Sequence, residues 1–327
     1  MSVCDPEISE ILAAFKQRDR RALAKAITLV ESDNEHDLVK AKALLCSIAK
    51  PKKPTLRLAI SGPPGVGKST FINVLGQEFL RRKLRMAILP IDPASIRSRG
   101  SILGDKTRMH QLVDHPDVII RPSSSRGILG GVSIAMSDVI KVVESFGFDV
   151  VIIETVGVGQ SEGHAYSLAD FFLLLMQPGA GDMLSAMKRG IVEQVDYLVV
   201  NKADGQQKEL AENSFATLKA AFGSGIPQIF LVSSLENKNI AMLTDNLIDA
   251  FKKRDAAGDV ASEREKRFDD YFRFAFGHMV ASKMLAVPWI ADECASIKRK
   301  VNEDQQSLLV KLNALGDKIA ERCSKMV

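Results

Sequence analysis

The chain has 327 residues, 46% of them hydrophobic, 6% aromatic and 26% charged, which excludes a disordered or fibrous protein and leaves ample material for a buried core. Its 44 basic and 40 acidic residues give a formal charge of only +4, so no net field draws it to nucleic acid or a membrane surface, and a polyanionic ligand has to be gripped locally. Cys4, Cys46, Cys294 and Cys323 lack C-x-x-C spacing, Asp5, Glu7 and Glu10 are unlike a secretory signal, and the longest strongly apolar run, Phe171 to Met176, is too short to span a bilayer; the expectation is a cytoplasmic or organelle-matrix protein with free thiols.

In chain order, Ile8, Ile11, Leu12, Phe15, Leu23, Ile27 and Val30 recur at helical spacing, and a second helix is predicted from Asp37 to Ala49. Pro51 and Pro54, flanking Lys52 and Lys53, end that pattern, so residues 1–54 read as a helical lead-in packed on a nucleotide-binding core. Next comes an apolar run, Leu58 to Ile60, then GPPGVGKS, and then helical apolar spacing from Thr70 to Leu80. Gly62 to Ser69 matches the phosphate-loop pattern G-x-x-x-x-G-K-[ST] between the strand and the helix that pattern requires. The loop Gly62, Pro63, Pro64, Gly65, Val66 and Gly67, with Lys68, Ser69 and Thr70, is therefore the candidate nucleotide cradle. Its backbone N–H groups and the helix N-terminus face phosphate oxygens, Lys68 bridges the β- and γ-phosphates, and the Ser69 hydroxyl serves Mg²⁺.

Further short apolar runs are predicted strands: Met86 to Ile91, Val118 to Ile120, Val150 to Ile153, Phe171 to Met176, Tyr197 to Val200 and Ile229 to Val232. Continuous rather than alternating apolarity means both faces are covered, the mark of an α/β doubly wound, largely parallel sheet whose ligands lie at the carboxyl ends of its strands. This core is expected over residues 55–255. From about Ala256 the strands stop, leaving a helical segment, 256–327, with an aromatic cluster (Phe268, Tyr271, Phe272, Phe274, Phe276) and a narrow stripe, Leu308, Leu312, Leu315, Ile319, Cys323 and Met326. Such a stripe needs cover, from this chain or from a second copy.

The remaining motifs fall at strand ends. Asn201, Lys202 and Asp204 fit the guanine-reading pattern N-K-x-D, in which one carboxylate accepts from both N1–H and the exocyclic amine of guanine, so the expected nucleotide is GTP. Ser233, Ser234 and Leu235 are placed to close over the base. Asp92 and Glu154 end strands near the phosphates; each either caps a helix or serves Mg²⁺, and position and residue type favour the metal. Gly157 is expected to sense the γ-phosphate through its backbone. Val158 occupies the place where many regulatory GTPases carry a water-orienting glutamine, which predicts slow intrinsic hydrolysis, with Gln160 or Asp92 as candidate water positioners and a partner supplying further help. The segment GSILGDKTRM, Gly100 to Met109, is either a surface turn or a nucleotide-sensing switch built on Asp105, Lys106 and Arg108. The five histidines form no H-x-x-x-H or His/Cys cluster.

Taken together, ALAKAITLVES, GPPGVGKST, IDPAS, GSILGDKTRM, IIRPSSSRGILGG, FDVVIIETVGVGQSE, FFLLLMQPGAGD and NKAD strongly resemble the MeaB/ArgK family of GTPases, related to the human methylmalonic aciduria type A protein. The resemblance covers about Arg21 to Phe251. It implies a signal-recognition-particle-like GTPase core, homodimerisation through the C-terminal helices, and a G-protein chaperone of an adenosylcobalamin-dependent methylmalonyl-CoA mutase or related acyl-CoA mutase, with an adenosyltransferase as a possible third member. It implies also that Ser69, Asp92, Asp105 and Glu154 surround Mg²⁺, and that Asp92 to Arg108 and Glu154 to Tyr166 are switches. A third switch, usually PGAGDELQGIKKG, reads PGAGDMLSAMKRG here, with Met183, Ser185 and Ala186 replacing the usual residues. Two competing readings, a kinase of periplasmic amino-acid transport proteins and a nickel metallochaperone GTPase, want an acceptor pocket and His/Cys ligands respectively, neither of which the sequence displays.

Overall fold

The computed structural model describes residues 6–32, 34–92, 110–124, 135–155, 162–179, 193–223, 225, 227–303 and 307–324. The first run of helical spacing folds into two helices where periodicity alone predicts one: α1 (Pro6–Lys16) and α2 (Arg20–Val30). Arg18 between them has a left-handed φ of 61°, and Asp19 caps α2 by accepting from the backbone N–H of Arg21 at 2.6 Å. A third helix, α3 (Glu35–Ser47), is capped by Asn34, which accepts from His36 N–H at 2.9 Å. Ile8, Ile11, Phe15, Leu23, Ile27 and Leu44 supply the buried faces of this lead-in.

Every predicted strand is present, within two residues of its expected ends. Their ranges are β1 (Leu56–Ser61), β2 (Met86–Asp92), β3 (Val118–Ile120), β5 (Val150–Glu154), β6 (Phe171–Met176), β7 (Tyr197–Val200) and β8 (Gln228–Leu231), with a two-residue addition, β4 (Ser123–Ser124), that periodicity is too short to reveal. All pair in parallel, in the order β3-β2-β5-β1-β6-β7-β8, with β4 also beside β2. The covering helices are α4 (Lys68–Arg81), α5 (His110–Val113), α6 (Met136–Phe146), α7 (Glu162–Ser167), α8 (Lys208–Phe222) and α9 (Ile240–Ala257). α4 lies against α9, and Phe71, Leu75 and Phe79 on α4 join Leu58, Ile60, Ile152, Leu173 and Val199 from the strands in one core. Both faces of β1, β5, β6 and β7 are therefore buried, which is why those stretches lack polar alternation.

Three arginines fasten later helices to the amino ends of the strands. Asp170, just before β6, receives Arg264 at 2.7 Å on each carboxylate oxygen and the backbone N–H of Arg57 at 2.8 Å. Asp196, just before β7, takes Arg254 and Arg267 at 3.5 Å and the Phe172 N–H at 2.8 Å. Burial pulls the Arg264 ionisation down, but its hydrogen bonds to Asp170 outweigh that and hold it above the ordinary value. Arg264 and Arg267 belong to α10 (Asp259–Leu285), after which come α11 (Pro288–Glu303) and α12 (Leu308–Ser324). By contact clustering the chain divides into residues 1–269 and 270–327. Within the second unit, Lys318 pairs with Glu293 at 2.7 Å, and Arg322 lies 4.0 Å above the Trp289 ring. No single described helix is long and apolar enough to cross a membrane.

Candidate functional site

β1 sits where the sheet order reverses, with β5 and β2 on one side and β6 and β7 on the other, and the loop Gly62–Gly67 leaves its carboxyl end for the N-terminus of α4. Close packing dictates two of its glycines. A Cβ on Gly62 would stand 2.7 Å from the Leu175 carbonyl oxygen of β6. Gly67 caps α4 in a left-handed conformation, φ 92°, and a Cβ there would stand 3.1 Å from Asn201 Nδ2. Val66 is buried beneath the loop, Pro64 and Gly65 are exposed, and Lys68 Nζ curls back to donate to the carbonyls of Gly62 at 2.6 Å and Pro63 at 3.2 Å. Ser69 is half-buried and Thr70 exposed on the first turn of α4.

The second predicted motif is bonded to the first. Asn201, buried at the end of β7, donates through Nδ2 to the Val66 carbonyl at 3.0 Å, while its Oδ1 accepts from Ser234 Oγ at 2.8 Å and Ser234 N–H at 3.2 Å. One amide thus ties the phosphate loop, the N-K-x-D segment and the loop after β8 together. The Ser233 hydroxyl donates to Asp204 Oδ2 and accepts from Glu236 N–H at 3.0 Å. Gly67, Thr70, Asn201, Lys202, Asp204, Gln207, Ser234 and Leu235 enclose a cavity of about 210 Å³. Leu235 is 78% exposed at its mouth.

Glu154 ends β5, 8% exposed, in register with Ile60 of β1 and Pro90 of β2, and Asp92 closes β2 beyond that Pro90. Both acidic positions therefore stand at carboxyl ends of strands, Glu154 on β5 beside the phosphate-loop strand and Asp92 on β2 one strand further out. Asp105, Gly157 and Gln160 lie outside the described residues, as do the segment Gly100 to Met109 and residues 180–190 of the third switch. Among the described residues no group of three or more His, Cys, Asp or Glu stands ready for a metal ion.

Sequence reasoning missed the residues that shape the base loop. Gln207 lines the cavity from the turn Gly205–Gln207, and Asn239 Nδ2 donates to the Leu231 carbonyl at 2.8 Å. Asn237 and Asn239 are left-handed, at φ 53° and 62°, so the E-N-K-N run after Leu235 was the available signal for a tight closed turn.

A family model described as methylmalonyl Co-A mutase-associated GTPase MeaB matches residues 23–288. The chain belongs to this family. Similar MeaB-family proteins include GTPase ArgK of Escherichia coli, 36% identical over 273 residues that cover 81% of this chain and 82% of ArgK. The mitochondrial methylmalonic aciduria type A homolog of Mus musculus is 33% identical over 311 residues, covering 90% of this chain and 75% of the mouse protein. Among solved structures, a LAO/AO transport system kinase superposes with a TM-score of 0.74 at 26% identity, covering 98% of this chain and all of that one.

Proposed function

We propose that this MeaB-family GTPase hydrolyses GTP to GDP and phosphate in the cleft at the carboxyl ends of β1, β5 and β7, and uses its nucleotide state to gate cofactor loading into, and to protect or reactivate, an adenosylcobalamin-dependent acyl-CoA mutase. The observation that carries the nucleotide reading is the Asn201 amide bonded to Val66 and Ser234, which couples a guanine-reading loop to a phosphate loop across one cavity. Asp204 reads the guanine edge, and the loop from Ser233 to Leu235 closes over the ring. The backbone of Gly62 to Ser69 cradles the phosphates. On nucleotide binding Lys68 exchanges the carbonyls of Gly62 and Pro63 for phosphate oxygens, which are better partners for an ammonium group.

Hard hydroxyl and carboxylate oxygens at Ser69, Glu154 and Asp92 suit Mg²⁺, with Asp105 as a fourth donor, and the ion would neutralise charge on the phosphate oxygens. Water, oriented by Gln160 or Asp92, attacks the γ-phosphorus. The bond from that phosphorus to the β–γ bridging oxygen breaks, GDP departs, and the water's proton leaves with phosphate or solvent. Lys68 offsets the charge that develops on the bridging and γ-oxygens. Because Val158 cannot orient water, the intrinsic rate is slow and a partner raises it. Residues 55–255 form the catalytic domain, 1–54 a helical extension, and 256–327 the segment that pairs two copies; an adenosyltransferase joins when cofactor is loaded.

The test is GTP turnover with and without purified methylmalonyl-CoA mutase. The mutase is expected to bind and to change turnover or nucleotide affinity, since coupling between sites is reciprocal; no binding and no change would remove the client. The likeness to a structure described as a kinase supports a second reading, transfer of the γ-phosphate to protein. Incubation with γ-labelled GTP separates the two, by whether label appears as free phosphate or as phosphoprotein.

A further inference from the structure

At the opposite end of the sheet from the nucleotide cleft, the helical lead-in leaves a cavity of about 500 Å³ against the core. A six-residue strand, β1, separates the two sites, roughly 20 Å at strand rise per residue. At the base of the cavity Phe15, Phe146 and Phe148 are core side chains, Phe15 edge-on to Phe146 at 5.0 Å and Phe146 stacked on Phe148 at 5.6 Å, while half-buried Leu12 and Ile48 and exposed Pro51 supply its accessible apolar wall. Its rim is cationic, carrying Lys16, Arg18, Lys50, Lys52 and Lys53. None of these five makes an ion pair with a described residue.

The two acids at the cavity, Glu144 and Asp149, are already engaged. Glu144 is clamped by Arg57 at 2.6 and 2.9 Å, with Arg264 at 3.7 Å, and Asp149 accepts from the Arg85 backbone N–H at 2.9 Å. Glu144 is thus neutralised by arginines outside the rim, while a backbone N–H leaves Asp149 its charge, so five rim cations face one uncompensated carboxylate. Arg85 reports the same field: burial and the adjacent Arg18 guanidinium push its ionisation down, even though Asp117 lies 3.4 Å away. Arg18 reaches this place because the chain turns through its left-handed conformation between α1 and α2. A chain of nearly balanced charge thus gathers five exposed cations, unpaired among the described residues, around one apolar-lined cavity.

We infer that this cavity is a second small-molecule site, for an anion with a flat or acyl apolar body, its phosphate or carboxylate head held by the lysine rim and its body set against the apolar wall of Leu12, Ile48 and Pro51. The volume falls in the range of ligand pockets, and the division into apolar wall and few charged anchors is the usual one. Neither half suffices alone. Exposed lysines hold a bare anion weakly in water, while the apolar wall adds burial of the ligand's body.

The test is calorimetry of the full chain with 1-naphthyl phosphate, run with saturating GDP so that the nucleotide cleft is occupied. Saturable binding at one site is expected, weakening as salt is raised. Inorganic phosphate and 1-naphthol, the separate halves of the probe, are each expected to bind at least tenfold more weakly. The triple variant Lys50→Glu, Lys52→Glu, Lys53→Glu alters only exposed positions before β1; it should weaken the probe at least tenfold while GDP affinity stays unchanged. Absence of saturable binding, equal binding by inorganic phosphate or by 1-naphthol, or unchanged affinity in the triple variant would each overturn the inference. If the probe binds only when GDP is omitted, it occupies the nucleotide cleft and the inference is likewise overturned.

Discussion

Asp204 shares its carboxylate between two duties. One oxygen accepts from Ser233, which fixes the loop after β8, and the carboxylate remains the acceptor for the guanine edge in the proposed complex. Replacing it by asparagine, Asp204→Asn, puts a donor where guanine also presents donors, and xanthine, with an acceptor there, becomes the better base. GTP affinity is expected to fall at least a hundredfold, about 2.7 kcal/mol, and XTP affinity to rise, as read by calorimetry; unchanged GTP affinity would contradict the assignment. Such residues were legible because their chemistry is written locally: G-x-x-x-x-G-K-S and N-K-x-D each need only a few consecutive positions. Asn201 was legible as a member of its motif. Its bond to Val66, 135 positions earlier, was not, because nothing local to either residue encodes the other.

Among elements, the strands were readable to within two residues because burial on both faces leaves runs such as FFLLLM with no polar alternation to confuse their ends. The break between α1 and α2 was hidden. Arg18 adopts a left-handed φ without the glycine or asparagine that normally advertises it, and the Asp19 cap looks like one more charge in a polar stretch. Also hidden was the arginine clamp on Asp170 and Asp196, whose partners come from α9 and α10, far along the chain. That clamp carries a prediction. Asp170→Ala strands Arg264 in a largely buried place and removes a carboxylate that also holds the Arg57 N–H, so it should cost about 3–5 kcal/mol in a denaturant titration of the full chain. Exposed pairs such as Lys141 with Asp138 provide the control, expected to change stability by less than about 1 kcal/mol on truncation.

For the molecule as a whole, the C-terminal unit leaves a large apolar surface. On α12 Leu315 is buried, but Leu308, Leu309, Val310 and Leu312 are exposed, Leu309 by 69%, and on α10 Phe272 and Phe276 stack on each other at 5.9 Å while remaining more than half exposed. A run of that size on water is costly, and the proposed pairing of two copies would cover it. The double variant Leu309→Glu, Leu312→Glu is therefore expected to lower the light-scattering mass from that of a dimer to that of one chain of 35.7 kDa, with GTP binding retained because the cleft lies in the first unit. A wild-type mass already equal to one chain would reject the pairing. The stripe was visible in the sequence as a spacing, but its cover was not, because a spacing names no partner.

The seat of β1 between β5 and β6 also has a consequence for how the protein is made. Emerging from the ribosome, the strand that carries the phosphate motif has no neighbour on either side until Val150 and then Phe171 have been synthesised, and the amide that bonds its loop arrives only with Asn201. A nascent chain therefore displays the whole G-P-P-G-V-G-K-S signature long before it owns a pocket, and becomes a guanine binder late, once the serine loop has closed behind it.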